Sequence, residues 1–165
     1  MKLNLGCGTD YRQGWVNVDT GNVHCDVKHD IEKFPWPFED SSVNEILMKH
    51  VFEHISKTNF IGVMEEIYRV CKNGAIVIIE SPYAGSDNYW TDPTHKFPLT
   101  TRTFDYFDST KDLGVNGRIY GWDHIKLRVL EAKKVKNKPN GPDVFYKLQI
   151  IKWQNLHTTL SLEEI

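Results

Sequence analysis

Leu3-Asn4-Leu5-Gly6-Cys7-Gly8 leads within a few residues into Val16-Asn17-Val18-Asp19. The reading is a buried strand, a glycine turn, a second strand and an acid at that strand's end. Gly6 and Gly8 let the backbone turn sharply and approach a ligand where a Cβ would collide. An aspartate closing the next strand is placed to accept hydrogen bonds from the two hydroxyls of a ribose. Together these residues describe a nucleoside-binding crevice at the start of an α/β sheet.

Working outward, Lys2–Gly6 and Trp15–Asp19 are short strands joined by about eight residues, too few for an ordinary crossover helix. Asp26–Ile31 reads as a third strand end. Phe34-Pro35-Trp36-Pro37-Phe38 excludes helix and central strand, because two prolines remove donors and fix φ. Val43–Lys49 is a fourth strand. A helix is expected over 58–72, with Phe60, Ile61, Met64, Ile67, Tyr68 and Cys71 at three- and four-residue intervals. Ser56 or Thr58 caps its start, and Asn73-Gly74 supplies a left-handed stop. Ala75–Glu80 is a fifth, apolar strand. Alternation of strand and helix predicts an α/β, Rossmann-like three-layer sandwich with a mostly parallel sheet.

From 83 to about 123 the pattern dissolves into Gly, Asp, Tyr, Trp and Pro, with one short helix at Thr100–Phe107. A segment this long and irregular inside a compact domain is usually functional. Ile125–Val135 and Val144–Trp153 alternate in strand fashion around 137–142, an antiparallel C-terminal hairpin. The expected organisation is one domain over 1–165: a cofactor-binding half (1–82), an acceptor-site loop region (83–124) and the hairpin (125–153).

The 165 residues carry a net charge of −2, which offers no basic field for nucleic acid or a membrane surface. Cys7, Cys25 and Cys71 are odd in number and lack C-x-x-C spacing, which fits a reducing compartment. With a strand starting at Lys2 and no long apolar run, neither a signal peptide nor a membrane span is expected, and the location expected is cytoplasmic. The oligomeric state is open.

A dinucleotide site requires G-x-G-x-x-G and an acid about 20 residues on. Here the third glycine position is Tyr11, and Asp19 comes 11 residues after Gly8. A nucleoside cofactor without a pyrophosphate needs neither feature. At this point LNLGCG, the NVD ending at Asp19, DVKHDI, PWPFEDSSVNEI and HVFEHI resemble the class I S-adenosylmethionine-dependent methyltransferases, most closely small members with a type-11-like domain. The resemblance is dense over 2–82 and extends to DPTHKF.

It implies S-adenosyl-L-methionine as cofactor, with Gly6, Cys7 and Gly8 against its methionine part and Asp19 on the ribose hydroxyls. Asp30 and the backbone of Ile31 would flank adenine, and His50 would line the methyl-transfer site. The short link between the first two strands and the few residues ahead of the glycine loop depart from larger members, so a lid is expected from Trp90–His95. The activity implied is methyl transfer to a small-molecule acceptor, and the Asp, Asn, Tyr and Trp character of 83–123 fits a sugar or another polar cell-surface precursor.

Asp92 and His95 lie in the segment after the fifth strand, which should emerge over the glycine-loop edge of the sheet. His95 is therefore the first candidate general base and His50 the second, with Asp92 beside them. His50-Val51-Phe52-Glu53-His54 also spells H-x-x-E-H, which on one helix would hold zinc and make a metallohydrolase. His50 falls at a strand end, so no metal is expected there, and His54 is expected to be a packed or hydrogen-bonded histidine. His24, Cys25, Asp26, His29 and Asp30 point to both faces of a strand and do not converge. A catalytically silent cofactor-binding protein is the remaining alternative.

Overall fold

A computed structural model describes residues 1–135 and 141–152. Among them seven strands form one sheet: β1 (Lys2–Leu5), β2 (Val16–Asp19), β3 (Val27–Lys28), β4 (Val43–Lys49), β5 (Cys71–Pro82), β6 (Leu127–Val135) and β7 (Asp143–Ile150). Their order is β3-β2-β1-β4-β5-β7-β6. The first five run parallel, and β7 enters antiparallel between β5 and β6. This is the α/β, mostly parallel Rossmann-like sheet with an antiparallel C-terminal pair. The centre of the hairpin loop at 136–140, and Trp153 at the end of the expected last strand, lie outside the described residues.

After β1 the chain moves to one side through β2 and β3, then returns to the other side of β1 as β4. The loops after β1 and β4 therefore part company at one edge and leave a crevice between them.

The core lies on one face of the sheet. Leu3, Leu5, Ile46, Met48, Val77, Ile79, Tyr146 and Leu148 stand in register across four strands and are buried against helix α1 (Phe60–Val70). The helix contributes Phe60, Val63, Met64, Ile67 and Val70, each at least nine-tenths buried. Burying a side chain of this size stabilises by about 1.5–3 kcal/mol, so this face carries most of the fold's cohesion. Ile61 and Tyr68 sit only at its margin.

The opposite layer is thin, because the 7–15 link replaces a crossover helix. Side-chain hydrogen bonds do the helix's work: Asn4 Nδ2 donates to the Asp10 carbonyl at 2.7 Å, and Asn17 Oδ1 accepts from the Arg12 N–H at 2.9 Å. Farther along, the same face carries ion pairs such as Lys2–Glu45 at 2.7 Å.

Three expectations are corrected. Helix α1 starts after Asn59 with no side-chain cap from Ser56 or Thr58. Glu32 Oε2 instead accepts from the Ser56 N–H and Asn59 Nδ2, tying the helix start to the β3–β4 loop. The helix ends at Val70, and Cys71 already begins β5, because Ser41 and Ser42 donate their N–H groups to the Arg69 and Val70 carbonyls. Gly74 keeps its left-handed φ of +79°, but within β5, where the register against β4 shifts. Third, the 83–123 segment holds more order than one helix: α2 (Asp87–Thr91), a 3-10 turn at Thr103–Phe107 and α3 (Gly114–Ile119).

Candidate active site

The glycine loop follows β1 with both glycines left-handed, Gly6 at φ +64° and Gly8 at +50°. At Gly6 a Cβ would collide with both methyls of Val51, so the loops after β1 and β4 touch here. Asp19, at the end of β2, holds the arrangement: its Oδ2 accepts the Gly8 N–H at 2.8 Å and its Oδ1 accepts the Gly21 N–H at 2.6 Å. The carboxylate remains half-buried on the wall of a cavity of about 430 Å³.

That cavity spans the carboxyl ends of the parallel strands. Gly6, Gly8, Asp19, Asp30, Ile31 and His50 all line it. Asp30 closes a turn by accepting the Glu32 N–H at 3.0 Å on Oδ1, which leaves its second oxygen and the Ile31 backbone beside the opening. Cys7 alone stands apart: it is buried, and it lines an adjoining depression with Asp10, Arg12, Lys49 and His50. Burial and the nearby Asp19 charge push its thiol above the usual cysteine range. The two depressions share Gly6, Gly8 and His50, so the glycine loop is a saddle between them.

Residues 6–79 match the model of the methyltransferase domain. Over that stretch, 74 of the 165 residues, the chain is similar to a methyltransferase domain. Solved structures agree in fold. A SAM-dependent methyltransferase from Archaeoglobus fulgidus aligns at TM-score 0.57 and 16% identity, over 90% of this chain and 85% of its own. One from Methanosarcina mazei gives 0.58 and 13%, over 91% and 92%. The N-methyltransferase NodS from Bradyrhizobium japonicum, in complex with S-adenosyl-L-homocysteine, gives 0.59 and 11%, over 92% and 78%. No curated protein matches. No helix among the described residues is long and apolar enough to cross a membrane.

The far end of the cavity is built by the turn after β4. His50 takes a left-handed φ of +54°, and Phe52–His54 form a 3-10 turn rather than a continuous helix. His50 and His54 therefore do not share a helical face, and the H-x-x-E-H zinc set does not assemble. His50 instead meets three carboxylates: Glu53 Oε1 lies 3.5 Å from Nδ1, while Asp143 Oδ2 and Glu80 Oε1 lie 3.5 and 3.7 Å from Nε2. The antiparallel entry of β7 explains this cluster, since it brings Asp143 to the edge where β4 and β5 end.

Asp92 and His95 reach the same cluster from the segment after β5. His95 packs on Tyr89, and its Nε2 lies 4.0 Å from Glu53 Oε1 and 3.7 Å from Asp92 Oδ2. Asp92 Oδ1 accepts from the side chain and the N–H of Thr94, which hold its carboxyl below the usual range. His50 lines the cavity itself, whereas His95 is linked to it through Glu53. Lys96 and Phe97 donate their N–H groups to the Glu53 carbonyl, clamping the two segments together.

Sequence reasoning overlooked Glu80, Asp143 and Lys96. Glu53 was legible as part of H-x-x-E-H, but its role depends on the 3-10 geometry. Asp143 carries no local signal, because only the sheet order places it here. Trp90, expected over the site, is largely exposed and donates its indole N–H to the Ala84 carbonyl.

Proposed function

We propose that this chain is a methyltransferase that binds S-adenosylmethionine in the crevice between the β1 and β4 loops and methylates a small polar acceptor delivered from the 83–124 side. The observation that carries the reading is the single cavity lined jointly by Gly6, Gly8, Asp19, Asp30, Ile31 and His50. Asp19 takes the ribose hydroxyls, Asp30 and Ile31 flank adenine, and the glycine loop with Cys7 receives the methionine part. Asp10 and Arg12, in the adjoining depression, suit a zwitterionic amino-acid end.

Methyl transfer is an in-line displacement. An acceptor lone pair forms the new bond to the methyl carbon, and the carbon–sulfur bond breaks with its electron pair going to sulfur. Most of the rate comes from holding the two partners about 3–3.5 Å apart and aligned. His50 borders this position and is placed to receive a proton from the acceptor. His95 and Asp92 act from behind Glu53 as positioning residues, an arrangement that inverts the order expected from the sequence.

Beside Lys96 and Phe97 lies a second cavity of about 580 Å³, lined by Phe60, Tyr106, Tyr120, Trp122, Lys57 and Arg102. Aromatic faces flanked by cationic donors suit a sugar or another polar cell-surface precursor. A panel of sugars and glycosylated precursors, read by S-adenosylhomocysteine release, tests this reading. Turnover on one of them, reduced at least tenfold by His50→Ala with cofactor affinity kept within a few-fold, is expected. Cofactor binding without turnover on any acceptor would favour the silent alternative.

A further inference from the structure

We propose that Glu53, His54 and His95 form a binding site for a divalent transition cation on the acceptor wall of the cofactor cavity. The proposal deepens the methyltransferase reading and rests on it for its chemistry, although the metal site is tested separately.

One ligand atom from each of the three residues lies within 4.8 Å of the other two. Glu53 is 1% exposed, and its Oε2 accepts from Ser81 Oγ at 3.0 Å, which turns Oε1 toward the histidines. Both imidazoles are fixed through their other nitrogen. His95 Nδ1 is 2.7 Å from the Tyr89 carbonyl, which can only accept, so Nδ1 carries the hydrogen and Nε2 presents a lone pair. His54 Nδ1 is 3.0 Å from Thr94 Oγ1, whose own hydrogen goes to Asp92 Oδ1 at 2.7 Å. Nδ1 of His54 is thereby also a donor, and its Nε2 is left for a ligand.

This is the outer support that metal-binding histidines use, a backbone carbonyl or a carboxylate-linked group fixing the tautomer. The His95 Nε2 lone pair, moreover, faces two carboxylate oxygens, Glu53 Oε1 at 4.0 Å and Asp92 Oδ2 at 3.7 Å. Those distances exceed a hydrogen bond and match a gap that a cation bridges. With metal–ligand bonds of about 2.0–2.2 Å, neighbouring ligands stand about 3.4 Å apart, so closure takes an inward movement of about an ångström shared among the side chains. Two imidazoles and a carboxylate favour Zn²⁺, Co²⁺ or Fe²⁺ over Mg²⁺ or Ca²⁺, and leave coordination positions open.

A second cluster, His50, Glu80 and Asp143, also gathers ligand-type groups. It offers one imidazole rather than two, and its other two groups are both carboxylates. His54 also lines the cofactor cavity, so a cation there faces the acceptor end. The acceptor class that fits is an oxygen chelator, such as a vicinal diol or a hydroxy acid.

The test is Zn²⁺ and Co²⁺ titration of chelator-treated, tag-free full-length protein, read by calorimetry and by the Co²⁺ visible spectrum. One equivalent is expected to bind, with affinity lowered at least tenfold in His54→Gln and in His95→Gln but kept in His50→Gln. Thermal melting and S-adenosylmethionine titration of each variant confirm an intact fold. Absence of stoichiometric binding overturns the proposal, as does a site lost in His50→Gln and retained in the other two. If metal-free protein still binds S-adenosylmethionine in that case, the cation site fails while the methyltransferase reading stands.

Discussion

Asp19 Oδ2 accepts the Gly8 N–H at 2.8 Å, so the acid that ends β2 and the glycine loop that follows β1 are fixed to one another. One carboxylate thus shapes the loop and faces the cavity that the loop lines.

Asp19→Ala removes the acceptor for two ribose hydroxyls. Charge-assisted hydrogen bonds of this kind are worth about 1.5–3 kcal/mol, or roughly 10- to 150-fold in affinity. Calorimetric titration of S-adenosylmethionine should show a loss in that range, with a smaller loss in Asp19→Asn. Unchanged affinity in both would place the ribose contact elsewhere.

Gly6→Ala places a methyl group against Val51 on a backbone already at φ +64°. The left-handed conformation costs a non-glycine residue about 1–2 kcal/mol, and the Val51 contact adds to it. The variant should lose cofactor affinity and melt at lower temperature. Gly6→Ala with Val51→Ala should recover part of both, because the collision is relieved and the backbone strain is not. A double variant no better than the single one would show that Val51 does not set the approach of the two loops.

Glu66 contributes to the pH dependence of the fold. Burial by itself raises its carboxyl, but hydrogen bonds from Arg69 and from the Trp36 N–H outweigh burial and hold it below the ordinary carboxylate range. A lowered folded value means that the stabilisation is fully present above the ordinary glutamate pKa, about 4.3, and is lost as pH falls through the folded value. Glu66→Gln should therefore lower stability by about 1–3 kcal/mol at pH 7 and by less at pH 3. Denaturant melts at the two pH values measure the difference. An equal loss at both would assign Glu66 a packing role alone.

How far the sequence carried these conclusions differs between the sheet and the site. Period and turn chemistry were sufficient for β1, β2, β4 and the body of α1, because each element's signal is local. The boundaries of α1 were not legible: its caps come from Glu32, Ser41 and Ser42, which are distant in sequence. Gly6 and Asp19 were readable because glycine conformation and a strand-end acid are local signals, whereas Asp30 came from the family resemblance. The Glu53 cluster was not, since it depends on β7 entering beside β5 and on a 3-10 turn where the motif suggests a helix.

The central claim is that the glycine loop and Asp19 bind a nucleoside cofactor without a pyrophosphate. The 7–15 link has no helix N-terminus to receive a pyrophosphate, and the third glycine position is Tyr11. Calorimetric titration of the purified chain with S-adenosylmethionine, S-adenosylhomocysteine and NAD tests this most directly. One equivalent each of the first two should bind, and NAD should not. Tight binding of NAD, or no binding of either adenosyl compound, would contradict the account.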